Sequence, residues 1–450
     1  MFSKPTIYLL MEIKSRELEG KTLLALEAAC RGFRVVLGNQ VHLKRLIRES
    51  LMPPGVYFDK SLTKGKEALL NKVVEEGFVV ASQDEESGLL DFSYDQFIAT
   101  RSTDETVAAA SAVFCWGEFD KRTWQRHYPK LGDHVYGSGS PRVDFWRPDF
   151  MAYYTDNVKD IADKYGDYVL IPSNFPLANG YMNLEQRIEQ GRKNGSLASE
   201  ADEQTLRANA EDTRKMVDRF AELLKRLSEA HPTINFIVRP HPVEKLSEWE
   251  RRLTALDNVH VVFEGGVTQW VRGASAIIHN GCTTGIEARF SGVPTIAYVP
   301  FESPINREVP NAVSVQCRTP EAVEDTLGAI LSSKGPEPDQ QESVEQLLQE
   351  RFANFRGDTA SSSIVSALVG LNVPASPPPR RSLKGRKIAG RYIYSRFMKR
   401  LSKKEDHGLR KFSGLTLAEL EDIRRRLSLV KPAYADRRIE HFLGDVFCIE

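Results

Sequence analysis

The chain has 450 residues, room for two or three domains at roughly 100–200 residues each and too long for a small disulfide-stapled module. Apolar residues make up 41% and charged residues 27%, a globular balance that excludes a disordered chain. Lys+Arg and Asp+Glu are both 61, so the formal charge is zero, and no nucleic-acid partner is expected.

The opening residues 1–17 hold a short apolar stretch broken by Glu12 and Lys14, and read as a first strand rather than a secretion leader. Strands are predicted at 6–13, 34–38, 56–58, 78–82, 113–116 and 134–136, with helices at 18–31, 41–50 and 64–76 between them. A break rich in proline and aromatics runs from Pro141 to about Tyr165. The alternation then restarts with strands at 168–171, 234–239, 259–263, 276–279 and 295–299, and helices at 202–230, 246–256, 268–272 and 284–291. Strands alternating with helices indicate right-handed βαβ units and parallel sheets. The expected fold class is α/β, with two Rossmann-like domains facing a cleft and a helical extension. The expected divisions are 1–160, 161–372 and 373–450, the last opening on the proline-rich linker Ala375-Ser-Pro-Pro-Pro-Arg380. No apolar run approaches the ~20 residues of a membrane-spanning helix. Five cysteines without paired spacing point to a reducing, cytoplasmic compartment, and to neither a disulfide framework nor a zinc site.

Ligands of such folds bind just beyond the carboxyl ends of strands, and four stretches there carry chemistry. In Ile237-Val-Arg-Pro-His-Pro242 two prolines stiffen the turn, so that Arg239 and His241, with Pro242, face a phosphate oxygen; the alternative is a plain strand-ending turn. In Ile278-His-Asn-Gly-Cys-Thr-Thr-Gly-Ile-Glu287 a turn through Asn280 and Gly281 opens a helix at Thr283 and Thr284. Its amides and hydroxyls suit an anion, or form an ordinary helix cap. Glu287 suits a ribose, or is a carboxylate favoured in a first helical turn.

In the first half, Gln83-Asp-Glu-Glu-Ser-Gly88 places Asp84, Glu85 and Glu86 side by side. Their mutual repulsion raises one pKa toward that of a general base, Glu85 or Glu86 before Asp84; a solvated acidic loop reads equally well. After the first strand, Lys14 and Arg16 suit an anionic group, with Glu12 or Glu17 to orient them, or form a salt-bridged loop. Gly137-Ser-Gly-Ser-Pro-Arg-Val-Asp144 permits close backbone approach at Ser140 and a phosphate contact from Arg142, or is a hinge. GxxxxGK[ST], HExxH, GxSxG and CxxC are all absent from the sequence, so ATP-dependent phosphoryl transfer, zinc hydrolysis and a serine triad lack sequence support.

Taken in order, EIKSRELEGKTLLALEAACRGFRVVLG, QDEESG, FCWGEFD, GSGSPRVD, RPHP and IIHNGCTTGIEARFSGVPTIAY resemble the bacterial surface carbohydrate biosynthesis proteins, which are similar to GT-B glycosyltransferases. RPHP also resembles the His-Pro element of sialyltransferases, Kdo transferases and polyol-phosphate transferases. The resemblance implies a glycosyltransferase of lipopolysaccharide- or capsule-type assembly, with a nucleotide sugar as donor, CMP-linked to Kdo or a nonulosonic acid, and a glycan or lipid-linked acceptor. His241 with Pro242 and the pair Thr283 and Thr284 would hold the nucleotide phosphate, and Glu85 or Glu86 would act as base, without metal or cofactor. A CDP-polyol phosphate transferase, a nucleotide-sugar epimerase and a non-catalytic scaffold are the alternatives.

From Arg380 to Lys404 stand eleven Lys or Arg and no acidic residue, interleaved with Ile388, Tyr392, Ile393, Tyr394, Phe397, Met398 and Leu401. That pattern suits an anionic membrane surface at 380–404, with a basic helix docked on the protein's own acidic body as the other reading. Residues 380–450 are thus expected to be removable without loss of nucleotide binding.

Overall fold

A computed structural model describes residues 3–85, 87, 94–194, 197, 199–332, 341–401, 409 and 411–450. The chain forms two compact units, Met1–Tyr153 with Glu345–Glu450 and, between these in sequence, Tyr154–Val344.

In unit 1, strands β1 (Lys4–Met11), β2 (Arg34–Asn39), β3 (Val56–Asp59), β4 (Val79–Gln83), β5 (Ala110–Cys115) and β6 (Val135–Gly137) pair in parallel in the order β2-β1-β3-β4-β5-β6. Every residue of β2 and β3 is buried, as expected of a parallel sheet with both faces covered. Helix Lys14–Cys30 buries the run from Gly20 to Ala29, and Tyr8, Val36, Tyr57, Val80 and Val113 build one core from neighbouring strands.

In unit 2, β7 (Tyr168–Pro172), β8 (Asn235–Arg239), β9 (Val259–Val261), β10 (Ala276–His279), β11 (Thr295–Tyr298) and β12 (Val315–Cys317) form a six-stranded parallel sheet, ordered β12-β11-β10-β7-β8-β9. This is the Rossmann order, with its winding reversal between β7 and β10. Helix Glu200–Ala230 starts at the reciprocal cap Ser199/Asp202. It lays Met216, Val217, Phe220, Leu223, Leu224 and Leu227 on the sheet at helical spacing.

The chain then returns to unit 1. After β13 (Ala375–Ser376), which pairs with β1, a hairpin of β14 (Ile439–Leu443) and β15 (Val446–Ile449) extends the first sheet antiparallel to β2. Gly444 turns the hairpin at φ +58°, a left-handed conformation that glycine adopts without a steric penalty. A Cβ on Gly38 of β2 would lie 2.6 Å from the Asp445 carbonyl oxygen, so the strand is small where the hairpin crosses it. The stretch 373–450, expected as an appendix, is therefore part of the first unit, and the sequence divisions at 160 and 372 differ from the observed changes of unit. The reason is local: β2 is fully buried, and β15 pairs with an edge that would otherwise expose backbone donors and acceptors. Among the described residues no helix is long and apolar enough to cross a membrane.

Candidate functional site

The reversal point of unit 2 gathers the loops that follow β7, β8, β10 and β11. The RPHP loop is strapped at its back: Tyr181 donates its amide to the Val243 carbonyl at 3.2 Å and Lys245 donates to the Asn179 carbonyl at 2.9 Å. Its keystone is Glu244, a residue the sequence reading passed over. This buried carboxylate accepts hydrogen bonds from the Ser173 hydroxyl (2.6 Å), the Phe175 amide (2.8 Å), the Trp249 indole (3.1 Å) and the His241 amide (3.3 Å). Four donors compensate the charge's desolvation and lock the β7 and β8 loops together.

His241 is exposed. Its Nδ1 accepts from the Val243 amide at 3.4 Å, an assignment that leaves Nε2–H as a donor in the neutral ring. Partial desolvation lowers the imidazole pKa, Glu244 opposes, and the nearby Arg307 guanidinium acts with the desolvation. Arg239 differs from the expectation of a phosphate ligand. Its guanidinium is buried, donates to the carbonyls of Glu264 (2.7 Å) and Gly265 (3.0 Å), and lies 5.0 Å from the Trp270 ring centre. Desolvation pulls its pKa down to about 10, against Tyr168, Glu264 and Glu287. The geometry makes it a brace for the loop after β9.

The second loop forms as strand, turn and helix. Gly281 has φ +56°, and a Cβ there would lie 2.8 Å from the Arg307 amide nitrogen. The Gly281 amide donates to Asn311, and Asn280 donates to the Tyr298 carbonyl, both at 2.8 Å. Asn280 thus ties β10 to β11 and is buried. Helix Thr283–Phe290 begins directly beyond. Thr283 is half-buried at its first position, and the buried Thr284 hydroxyl accepts the Cys282 thiol at 3.3 Å. Beneath the turn, His279 is buried, with Nε2 2.9 Å from the Ser314 hydroxyl; burial lowers its pKa to about 4. A Cβ on Gly285 would meet that Nε2 at 2.3 Å, so the glycine of the Thr-Thr-Gly run is needed for close packing. Glu287 is buried as well, where its charge acts on Arg239 and Arg272.

Arg307 completes the set. It is exposed in the loop after β11, and its charge is felt by both His241 and Cys282. Position beyond a strand end was the signal for it in the sequence, but without the fold nothing set it apart from other surface arginines.

Unit 1 carries a separate cluster at its own strand ends. Its order places the reversal point between β1 and β3, and there Glu12 ion-pairs with Lys60, and with Lys411 at 2.7 Å. Lys14 is ion-paired with Glu419. Glu17 accepts the backbone amides of Glu12 (3.1 Å) and Ile13 (2.7 Å), holding the start of its own helix. Neither carboxylate thus orients Lys14 as expected, and the salt-bridged alternative describes Glu12 and Lys14. Arg16 acts on Glu85 by its charge.

The acidic run is no solvated loop at Glu85. The buried Lys21 ammonium lies 2.6 Å from Glu17 and 3.1 Å from Glu85. Burial raises the Glu85 pKa, Lys21 opposes and Glu17 reinforces; the cause is desolvation rather than repulsion from its sequence neighbours. On Lys21, burial acts against the charge, but the two carboxylates outweigh it and raise its pKa. Asp84 pairs with Arg101 at 3.2 Å. Glu86 lies outside the described residues. Asp120, in the Phe-Cys-Trp-Gly-Glu-Phe-Asp block, was also passed over: it is fully buried, accepts from the Trp116 amide at 3.4 Å, and desolvation raises its pKa to about 7.

Ser140 is buried and its carbonyl accepts from Asn354 at 3.3 Å. Arg142 lies 5.6 Å from the Trp146 ring centre. Asp144 takes the amides of Ala360 (2.7 Å) and Ser361 (3.0 Å). The GSGSPRVD stretch therefore anchors the returning chain within unit 1.

No known protein-family model matches the chain, and no curated protein sequence matches it. Solved structures do. UDP-GlcNAc 2-epimerase from Neisseria meningitidis, bound to UDP-GlcNAc, superposes with a TM-score of 0.51 at 11% identity, over 82% of this chain and 100% of the epimerase. The Methanocaldococcus jannaschii UDP-GlcNAc 2-epimerase gives 0.51 at 13% identity, over 81% of this chain and 99% of that one. The likeness is one of fold. It agrees with the α/β, GT-B-type class expected from the sequence.

Proposed function

We propose that the chain is a nucleotide-sugar enzyme of bacterial surface-polysaccharide assembly, a GT-B-type glycosyltransferase whose unit 2 holds the donor nucleotide. The observation that carries this reading is the gathering of His241, Arg307 and the start of helix Thr283–Phe290 beyond β8, β11 and β10, beside the reversal point. In this reading His241 donates its Nε2–H to a phosphate oxygen, Arg307 supplies positive charge, and the helix amides with Thr283 receive the remaining phosphate oxygens. As the sugar–phosphate bond breaks, these groups stabilise the charge growing on the leaving nucleotide, with no metal or cofactor in the reading. Glu85, its pKa raised by burial, is the base for the acceptor hydroxyl, which belongs to a glycan or a lipid-linked glycan. The motifs favour a cytidine donor, with Kdo or a nonulosonic acid as the sugar.

A second reading, nucleotide-sugar epimerisation, is favoured by the full-length likeness of fold to the UDP-GlcNAc 2-epimerases. Thermal shifts with CMP, CDP, UDP and GDP separate the readings, because a ligand at a hundred times its Kd adds about 2.7 kcal/mol of stability. The transferase reading expects a cytidine response that His241→Ala and Arg307→Ala remove. A response to UDP alone, with conversion of UDP-GlcNAc to its C2 epimer in the absence of acceptor, selects the epimerase. A folded sample that responds to no nucleotide makes the chain a scaffold.

A further inference from the structure

Helix Leu383–Leu401 has two apolar faces, and only one is used by unit 1. Gly385, Ile388 and Ala389 are buried against it. Tyr392 stacks on His42 with ring centres 4.5 Å apart and donates to Asp445 at 2.7 Å, and Arg396 donates to the Phe412 carbonyl. This face fulfils the reading of a basic helix docked on its own body.

The other face is open. At about 100° per residue, Leu383, Ile393, Tyr394, Phe397, Met398 and Leu401 fall within an arc of roughly 140°, centred nearly opposite the docked face. These six are between 45% and 78% exposed, and the five from Ile393 to Leu401 form an apolar patch of a kind that soluble surfaces seldom leave uncovered. The exposed Arg386 and Lys387 fall within the same arc, between Leu383 and the cluster from Ile393 to Leu401, and the exposed Arg391 and Arg400 border it on either side. The helix itself contains no acidic residue.

We propose that this outward face binds an anionic lipid surface. The patch supplies the area that enters the headgroup boundary, with Tyr394 and Phe397 as aromatic anchors, and the cations within and beside it meet the lipid phosphates. Charge decides between occupants: a second copy would bring two basic faces together, whereas anionic lipid complements them. The docked face fixes the helix to the sheet of unit 1, so the patch is presented already folded.

The test is sedimentation of the full chain with vesicles of phosphatidylcholine alone and of phosphatidylcholine mixed with phosphatidylglycerol. The chain should pellet with the mixed vesicles and not with the neutral ones, and binding should weaken with salt. Phe397→Glu with Met398→Glu should reduce affinity by about tenfold or more, as should Arg386→Glu with Lys387→Glu. Leu401→Ser, in the last turn, is the gentler check should a double variant fail to fold, and it should also bind less. Equal binding by the folded variants overturns the proposal. So does failure of the parent chain to bind, including the case where light scattering shows a dimer that the same substitutions dissolve, which would assign the face to a second copy.

Discussion

Glu244 accepts the Ser173 hydroxyl at 2.6 Å, tying the loop beyond β7 to the loop beyond β8 at the point where the sheet of unit 2 reverses its winding. His241 owes its position to this bond, because the same carboxylate also takes the His241 amide. Replacing Glu244 with Ala strands the donors of Ser173, Phe175 and Trp249 in a buried place, at a cost of about 3–5 kcal/mol. Urea unfolding should show that loss, and an unchanged midpoint would contradict the keystone role. Gln at this position should recover part of the stability, and the His241 imidazole signals should report the loop's displacement.

Lys21 holds Glu17 and Glu85 apart electrically in unit 1. Lys21→Met leaves two buried carboxylates facing each other, and should destabilise the protein by about 3–5 kcal/mol at neutral pH. Adding Glu85→Gln to Lys21→Met should restore part of that loss, which a double-mutant cycle measures. Strict additivity of the two changes would show that Lys21 and Glu85 do not act on each other.

Asp120 makes a pH prediction. Its native pKa of about 7 stands above its ordinary value of 3.8, so between these values the native state binds more protons than the unfolded one. Its contribution to stability therefore falls as pH rises from about 4 to 7, reaching a cost of roughly 4 kcal/mol above pH 7. Asp120→Asn removes the titration. The variant's stability relative to the parent should climb over that window and level off beyond it, and a difference that does not move with pH would sink the assignment.

The C-terminal hairpin is structural. Removing 436–450 takes away β14 and β15 and uncovers the edge of β2, so the truncated chain should lose cooperative unfolding and associate through that edge. Phe447→Ala, on a ring that is 2% exposed, should cost about 3–5 kcal/mol. A monomeric truncated chain with the parent's melting temperature would contradict this role. The basic segment is thus to be probed by point changes on its outward face, since deleting 380–450 removes two strands of the sheet as well.

Much of the molecule was legible in its sequence. Eleven predicted strands lie within a few residues of their observed positions, because apolar runs bounded by turn residues are local signals and parallel strands buried on both faces need them. The loops of His241 and Thr283 were legible for the same reason: in an α/β chain the residue after a strand is by topology a residue at a sheet end. What only the tertiary structure decided are partnerships across long stretches of chain. Residues 373–450 read in sequence as a helical extension, whereas β13, β14 and β15 lie there, and the pairing of β15 with β2 rests on which sheet edge remained uncovered. Glu244, Lys21, Asp120 and Arg307 look in sequence like ordinary surface charges. A charge becomes a keystone or a proton-holding acid only through the water taken from it and the donors that replace that water, and packing alone determines both.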